Sequence, residues 1–136
     1  MQQIFVNLPV SDLDKSKVFY TALGFTLNPQ FTNEQGACVV ISESIFVMLL
    51  LRDFFATFTD KKLCDAKHHT EMLLCLSCTS RGEADAMAAR AVKAGGTAPR
   101  PSKDHGFMYQ QGFEDLDGHI WELVSMTADV APQTSN

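Results

Sequence analysis

The sequence predicts an α+β fold made of two modules that share one order of elements: strand, helix, strand, strand, strand. Short apolar runs with a period of two residues alternate with two amphipathic helical stretches. Each helical stretch starts at a serine, Ser11 or Ser80, with an acid three residues later. The same order of elements returns at a near-constant interval, which indicates an internal duplication. Modules this small bury little core alone, so we expect their sheets to pair into an open, cupped barrel.

Composition narrows the function classes. The chain has 136 residues, 46% of them hydrophobic and 20% charged, which is ordinary for one globular domain. A net charge of -5 without any Lys/Arg run argues against nucleic acid. The longest apolar run, residues 45–51, is too short to cross a bilayer, and no signal-peptide pattern is visible. We therefore expect a cytoplasmic protein with no membrane or nucleic-acid partner.

Module one covers about residues 2–52. Its first strand, residues 4–10, has Val6, Leu8 and Val10 on one face, and strands follow over 25–31, 37–41 and 45–51. Gly24 is placed to end the helix between the first two strands. The helix is predicted by apolar residues at helical spacing, which are Leu13, Phe19, Tyr20 and Leu23.

A linker without clear periodicity, about residues 53–69, leads to module two, about residues 70–126. This module is predicted to have strands over 70–78, 97–100, 107–113 and 119–124, a loop at 103–106 and a flexible tail at 127–136. Gly95 and Gly96 are placed to end its helix. The helix is the best defined in the chain, with a stripe formed by Ala84, Met87, Ala88, Ala91 and Val92.

The cysteines are expected to be reduced thiols. Cys75 and Cys78 match a C-x-x-C pattern, but residues three apart on a strand point to opposite faces. Cys64, His68 and His69 have loose zinc-ligand spacing without further ligands in register.

Two motifs stand near the two ends of the sequence. The first motif runs from Asp12-Leu13 through Ser16 and Phe19-Tyr20 to Leu23-Gly24-Phe25. The second is Asp115-Leu116-Asp117-Gly118-His119-Ile120-Trp121-Glu122. Together they resemble the motifs of the vicinal oxygen chelate superfamily, which includes glyoxalase I, bleomycin resistance proteins and extradiol dioxygenases. The resemblance covers residues 2–126, and implies a single domain over 1–126 with a cupped sheet, and a homodimer.

The resemblance also implies a divalent Fe, Mn, Ni or Zn ion, held by four side chains in the cup and acting as a Lewis acid. Carried over to this sequence, the four positions fall on Phe5, Leu49, Leu73 and Glu122. Phe and Leu offer no lone pairs, so only Glu122 keeps a ligand type. If the register slips by two residues, Glu71 takes the third position. We therefore expect no cofactor and no bound metal. The alternative is a divalent metal ion, for which Glu122 would be the ligand.

Strand parity selects candidate ligand-binding residues. The residues that it turns towards the cup are Phe5, Asn7, Glu71, Leu73, Cys75 and Glu122, with Leu49 at the corresponding place in module one. The aromatics placed to close the mouth of the cup are Phe54, Phe55, Phe58, Phe107 and Tyr109. An apolar cavity with a few polar points is typical of a small-molecule site. The alternative is that Phe and Met side chains simply fill the cup.

Two functions remain open from the sequence. One is a small-molecule-binding protein like the bleomycin resistance proteins, with an apolar cup and a degenerate metal site. The other is a diverged enzyme: a metal-dependent lyase like lactoylglutathione lyase, a dioxygenase, or a metal-free acid–base catalyst that uses Glu122 and His105. A buried Glu122 without a cation would have a raised pKa, which suits general acid or base catalysis. Glu122 as a relic and His105 as an exposed loop residue are the plainer alternatives.

Overall fold

A computed structural model describes residues 1–126, so the predicted flexible tail lies outside the described residues. The first sheet has the strand order β1-β4-β3-β2, with β1 and β4 parallel and the other pairs antiparallel. This module consists of β1 (Ile4–Val10), α1 (Leu13–Ala22), β2 (Thr26–Asn28), a 3-10 turn (Pro29–Phe31), β3 (Gly36–Val40) and β4 (Ile45–Leu51).

The second sheet repeats this order as β5-β8-β7-β6, with β5 and β8 parallel. It follows a connection with one helical turn, α2 (Arg52–Phe55), and a 3-10 turn (Ala56–Phe58). Module two consists of β5 (Leu74–Ser77), α3 (Arg81–Lys93), β6 (Lys103–Asp104), β7 (Met108–Glu114) and β8 (Ile120–Met126). The predicted α+β class with two repeated modules is confirmed, and the sheets are not closed into a barrel.

The two modules share one hydrophobic core. Phe19 of α1 contacts the ring of Phe113 in β7, and Tyr20 contacts Trp121 in β8. The predicted stripe of α1 is buried, and so are Ala84, Met87, Ala88 and Ala91 of α3. Val92 is 48% exposed, so its place in the stripe was wrong.

The helix starts were predicted to within one residue. Ser80 caps α3 as expected, because its side chain accepts a hydrogen bond from the Glu83 amide. The cap of α1 is Asp12, whose carboxylate accepts from the Lys15 amide, and not Ser11. Either side chain satisfies an amide that lacks a partner in the first turn.

Two predicted strands of module two are shorter than expected. Residues 97–100 form a single bridge, Thr97 to Glu114, because Pro99 and Pro101 lack the amides a ladder needs. The fourth strand is instead β6, in the segment predicted as a loop. Strand β5 starts at Leu74, so residues 70–73 belong to the connection.

The modules are joined by a hydrogen-bonded cluster that we call the latch, formed by Ser11, Tyr20, Asp115, Asp117, His119 and Trp121. Tyr20 donates to Asp115 Oδ2 over 2.6 Å and accepts from Trp121 Nε1 over 3.0 Å. Asp115 Oδ1 accepts the backbone amides of Asp117 and His119. The amide and hydroxyl of Ser11 donate to Asp117 Oδ1, and His119 Nε2 donates to the Pro9 carbonyl over 2.8 Å. Both sequence motifs therefore meet at this cluster.

Within residues 1–126, none of the helices has the length and apolar character needed to cross a bilayer.

Candidate functional site

A cavity of about 450 Å³ lies where the connection between the modules passes the end of β1 and the start of β8. We call it the linker pocket. Its size falls within the range of roughly 300–1,000 Å³ that small-molecule sites have. The connection runs irregularly from Thr59 to Leu73 and provides much of the lining.

One part of the lining is hydrocarbon. β1 contributes Leu8 and Pro9, β5 contributes Leu74, β8 contributes Ile120, and the connection with its helical turn contributes the rest. These apolar side chains are Leu8, Pro9, Phe55, Leu63, Met72, Leu74 and Ile120. Several are incompletely buried, and Met72 is 44% exposed. A bound apolar group would remove such surface from water, which is favourable.

The other part of the lining is polar, and comprises Asn7, Thr59, Lys61, Lys62, Cys64, His69, Thr70, Glu71 and His119. Neither Lys61 nor Lys62 forms an ion pair within residues 1–126. The imidazole of His119 is oriented by its hydrogen bond to Pro9. The pocket therefore combines an apolar part of its lining with polar side chains that can orient a ligand.

The latch supports one side of this pocket through Gly118. The glycine has φ of +92°, and a Cβ built there would lie 2.8 Å from backbone atoms of Ala66 and Lys67. A side chain at this position would push the connection away. The close approach therefore ties the shape of the pocket to the turn of the latch.

Of the predicted ligand-binding residues, the structure places Asn7 and Glu71 together in the linker pocket. Phe54 lies one residue from the lining residue Phe55 and packs edge-on against Phe58. Lys61, Lys62, His69 and His119 were missed as candidates. The available signal was the length of the connection, because loops longer than about 12–15 residues often carry function.

The outer faces of the sheets, away from the helices, carry other predicted residues. Phe5 stacks on Phe46 with ring centroids 4.8 Å apart, and Leu73 is 52% exposed just before β5. The orientation predicted for Leu49 was wrong: it pairs with Leu8 and is fully buried on the core face. The misalignment arose from pairing Leu49 with Glu122 in the duplication.

The strand registers give the correct correspondence between the modules. Met48 lies opposite Asn7 in β1 and Cys38 in β3, while Glu122 lies opposite Cys75 in β5 and Gly112 in β7. Met48 is therefore the counterpart of Glu122. The outer face of module one is hydrocarbon at this place, whereas that of module two is acidic.

The two predicted catalytic residues lie near a smaller cleft of about 60 Å³. Glu122 lines this cleft with Arg100, Lys103 and Gln110, and His105 Nε2 lies 3.3 Å from Gln110 Oε1. The cleft has room for a few water molecules, well below the size of an organic ligand site. Burial, followed by the negative charge of Glu122, raises the pKa of the neighbouring Cys75 thiol.

The remaining predicted mouth residues lie away from both cavities. Tyr109 donates to Asp85 Oδ1 over 2.6 Å and lies beneath the Arg81 guanidinium, which is 5.1 Å from its ring centroid. That contact places Tyr109 against α3, and not where it would close the mouth of the predicted cup. Phe107 is 64% exposed.

The residues at the implied metal positions do not fit a divalent ion. With the corrected register they are Phe5, Met48, Leu73 and Glu122, of which only Glu122 is a hard donor. Glu71, the ligand if the register slips, lines the linker pocket, whereas Glu122 lines the separate cleft. Throughout residues 1–126, no three His, Cys, Asp or Glu side chains are grouped to hold a metal.

Comparisons with known proteins agree with the fold. Residues 2–42 match a family described as bleomycin resistance protein-like N-terminal. The hypothetical protein SA1046 from S. aureus is 28% identical, with a TM-score of 0.78 over 92% of this chain and 94% of that one. A glyoxalase-related enzyme from Fulvimarina pelagi is 23% identical, with a TM-score of 0.77 over 92% and 88%. No curated protein matches significantly.

A third solved structure is TnmS3, an antibiotic binding protein from Streptomyces sp. CB03234, which is 23% identical with a TM-score of 0.64 over 93% of this chain and 97% of that one. Together these matches confirm the resemblance to the vicinal oxygen chelate superfamily, with its glyoxalase-like and bleomycin-resistance-like fold.

Proposed function

We propose that the protein binds an apolar or aromatic small molecule in the linker pocket, without a metal. The observation that carries the proposal is the cavity of about 450 Å³, which has apolar side chains along one part of its lining and polar side chains along the other. Such a site gains affinity by removing apolar surface from water and gains specificity from its polar groups. A neighbour of the same fold is described as an antibiotic binding protein, which supports this class of function.

A pair of neighbouring tryptophan substitutions tests the pocket. Met72→Trp fills it, while Leu73→Trp adds the same side chain at an exposed residue outside its lining. Calorimetric titration with 2-naphthamide, a neutral aromatic probe, should show at least about tenfold weaker binding for Met72→Trp, a loss of roughly 1.4 kcal/mol. Leu73→Trp should bind like the wild type. Equal binding by both variants and the wild type would remove the linker pocket as the site.

Two exposed cysteines locate the ligand within one molecule. Cys64 lines the linker pocket, and Cys75 lies on the outer face beside Glu122. Saturating probe should slow the alkylation of Cys64 by N-ethylmaleimide and leave that of Cys75 unchanged, as read by peptide mass spectrometry. Protection of Cys75 alone would move the site to the predicted cup on the outer face.

Metal independence has its own test. Because Glu122 is the only hard donor at the implied metal positions, we expect chelator treatment to leave 2-naphthamide binding unchanged. Stoichiometric Fe, Mn, Ni or Zn in the purified protein, lost in Glu122→Gln, would restore the metalloenzyme alternative.

We also propose a homodimer, since apolar side chains at the start of β1 and just before β5 are left in water. Ile4, Phe5 and Leu73 are between 47% and 57% exposed. Light scattering during size exclusion should give about twice the chain mass of 15.0 kDa, and Phe5→Glu should shift it towards one chain. A wild-type mass of one chain would contradict the dimer.

We propose the cytoplasm as the location of the protein. The free thiols Cys64 and Cys75 are both exposed, and exposed thiols suit a reducing compartment.

A further inference from the structure

We infer that the linker pocket selects ligands that join an apolar, ring-sized body to one anionic group. The inference rests on the proposed function and names its ligand class. It comes from the charged side chains that line the pocket, which are mostly positive although the chain as a whole is negatively charged.

The charged side chains lining the pocket are two cations and one anion: Lys61, Lys62 and Glu71. Neither lysine has an acidic partner within 4 Å among residues 1–126. The nearby linker acid Asp65 is engaged by the His68 imidazole over 2.7 Å, and that hydrogen bond lowers the Asp65 pKa. The two ammonium groups are therefore available to an anion brought by a ligand.

The lysines are adjacent in sequence and precede the apolar lining residue Leu63. Phe55 and Met72 add further apolar lining to the same cavity. A ring seated among these side chains would lie in the same cavity as the two ammonium groups. This combination fits an aromatic carboxylate or sulfonate better than a neutral or cationic ring.

His119 adds a second orienting group. Its Nε2–H donates to the Pro9 carbonyl, so Nδ1 is left to accept a hydrogen bond from an N–H or O–H group of a ligand. Asn7 lines the same cavity. These groups give hydrogen bonds without changing the balance of charge.

Three probes with one naphthalene body test the inference: 2-naphthoate, 2-naphthamide and 2-naphthylmethylammonium. At low ionic strength we expect the wild type to bind the naphthoate about fivefold more tightly than the amide, and the ammonium most weakly. Raising the salt to roughly 0.5 M should shrink this preference, because exposed charges are screened.

The variant Lys61→Gln/Lys62→Gln should lose the preference, so that its ratio of naphthoate to amide affinity falls from about five to about one. The matched control Lys15→Gln/Lys93→Gln removes the same charge from exposed helix positions outside the pocket and should keep the preference.

The outcomes separate this inference from the proposed function. Tight binding of the amide with no gain for the naphthoate, or a preference for the ammonium, would overturn the inference and leave the binding function standing. Binding of none of the probes would overturn both. Loss of the preference in the Lys15/Lys93 variant would mean that overall charge sets it, and would also overturn the inference.

Discussion

The latch and the linker pocket are two contacts between the same modules, built in opposite ways. In the latch, Tyr20, Asp115 and Trp121 are almost fully buried and exchange short hydrogen bonds. In the pocket, the connection from Thr59 to Leu73 is largely exposed and has no regular structure. The recognisable motifs thus hold the fold together, while the least patterned segment lines the cavity. The resemblance in the motifs therefore identifies the fold, whereas the class of ligand depends on the side chains of the connection.

The largest expected effect is a loss of stability when the latch is disrupted. Asp115→Ala removes the acceptor of the Tyr20 hydroxyl and of two backbone amides, so the free energy of unfolding should fall by about 2–4 kcal/mol. Urea denaturation measures it. Asp14→Ala, at an exposed acid of α1, should cost less than about 0.5 kcal/mol. Equal stability of the two variants would show that the latch does not hold the modules.

The next prediction concerns Gly118, where the two regions touch. Gly118→Ala should cost about 1–3 kcal/mol from its positive φ, and more from the contact with Ala66 and Lys67. Gly106→Ala shares the positive φ but has nothing within 4 Å of the new Cβ. We expect Gly118→Ala to be the less stable variant and to weaken 2-naphthamide binding. If the two variants have the same stability and the same affinity for 2-naphthamide, the latch does not shape the pocket.

A smaller effect follows from pH. Burial raises the Asp115 pKa, although His119 and the Tyr20 hydrogen bond oppose the rise. Between the ordinary aspartate pKa of about 3.9 and the raised value, the folded chain holds a proton that the unfolded chain has lost. The contribution of Asp115 to the free energy of unfolding should therefore fall as pH rises through this window.

Denaturation of Asp115→Asn at several pH values checks this, because the wild type should lose stability relative to the variant as pH rises. Asp104 provides the opposite sign, since its hydrogen bond with Arg81 lowers its pKa. Its stabilisation is present above the ordinary pKa and is lost as pH falls. A flat difference between the wild type and Asp115→Asn would contradict the assigned shift.

The smallest effect is expected from Glu122→Gln. Glu122 lines the small cleft and not the linker pocket, so probe affinity should stay within about twofold and stability within about 0.5 kcal/mol. Removing its charge should lower the Cys75 pKa and speed Cys75 alkylation, with the Cys64 rate unchanged. A clear loss of probe binding would return Glu122 to the site.

Much of the fold could be predicted, because helical and strand periodicity are local. Leu13, Phe19 and Tyr20 of α1 are buried as their spacing indicates. The errors arose where a residue's orientation depends on which strand it pairs with. The alignment of the duplication put Leu49 on the wrong face, because only its register with Leu8 shows which face is buried.

The sequence by itself determined the order of elements, the two amphipathic helices, and the motifs that carry the resemblance. Only the tertiary structure decided that these motifs meet in a latch and that a cavity lies beside it. The physical reason is distance along the chain: hydrophobic periodicity is complete within one helix or strand. The pocket instead brings together Asn7, Lys62 and His119, whose proximity depends on how the two modules pack.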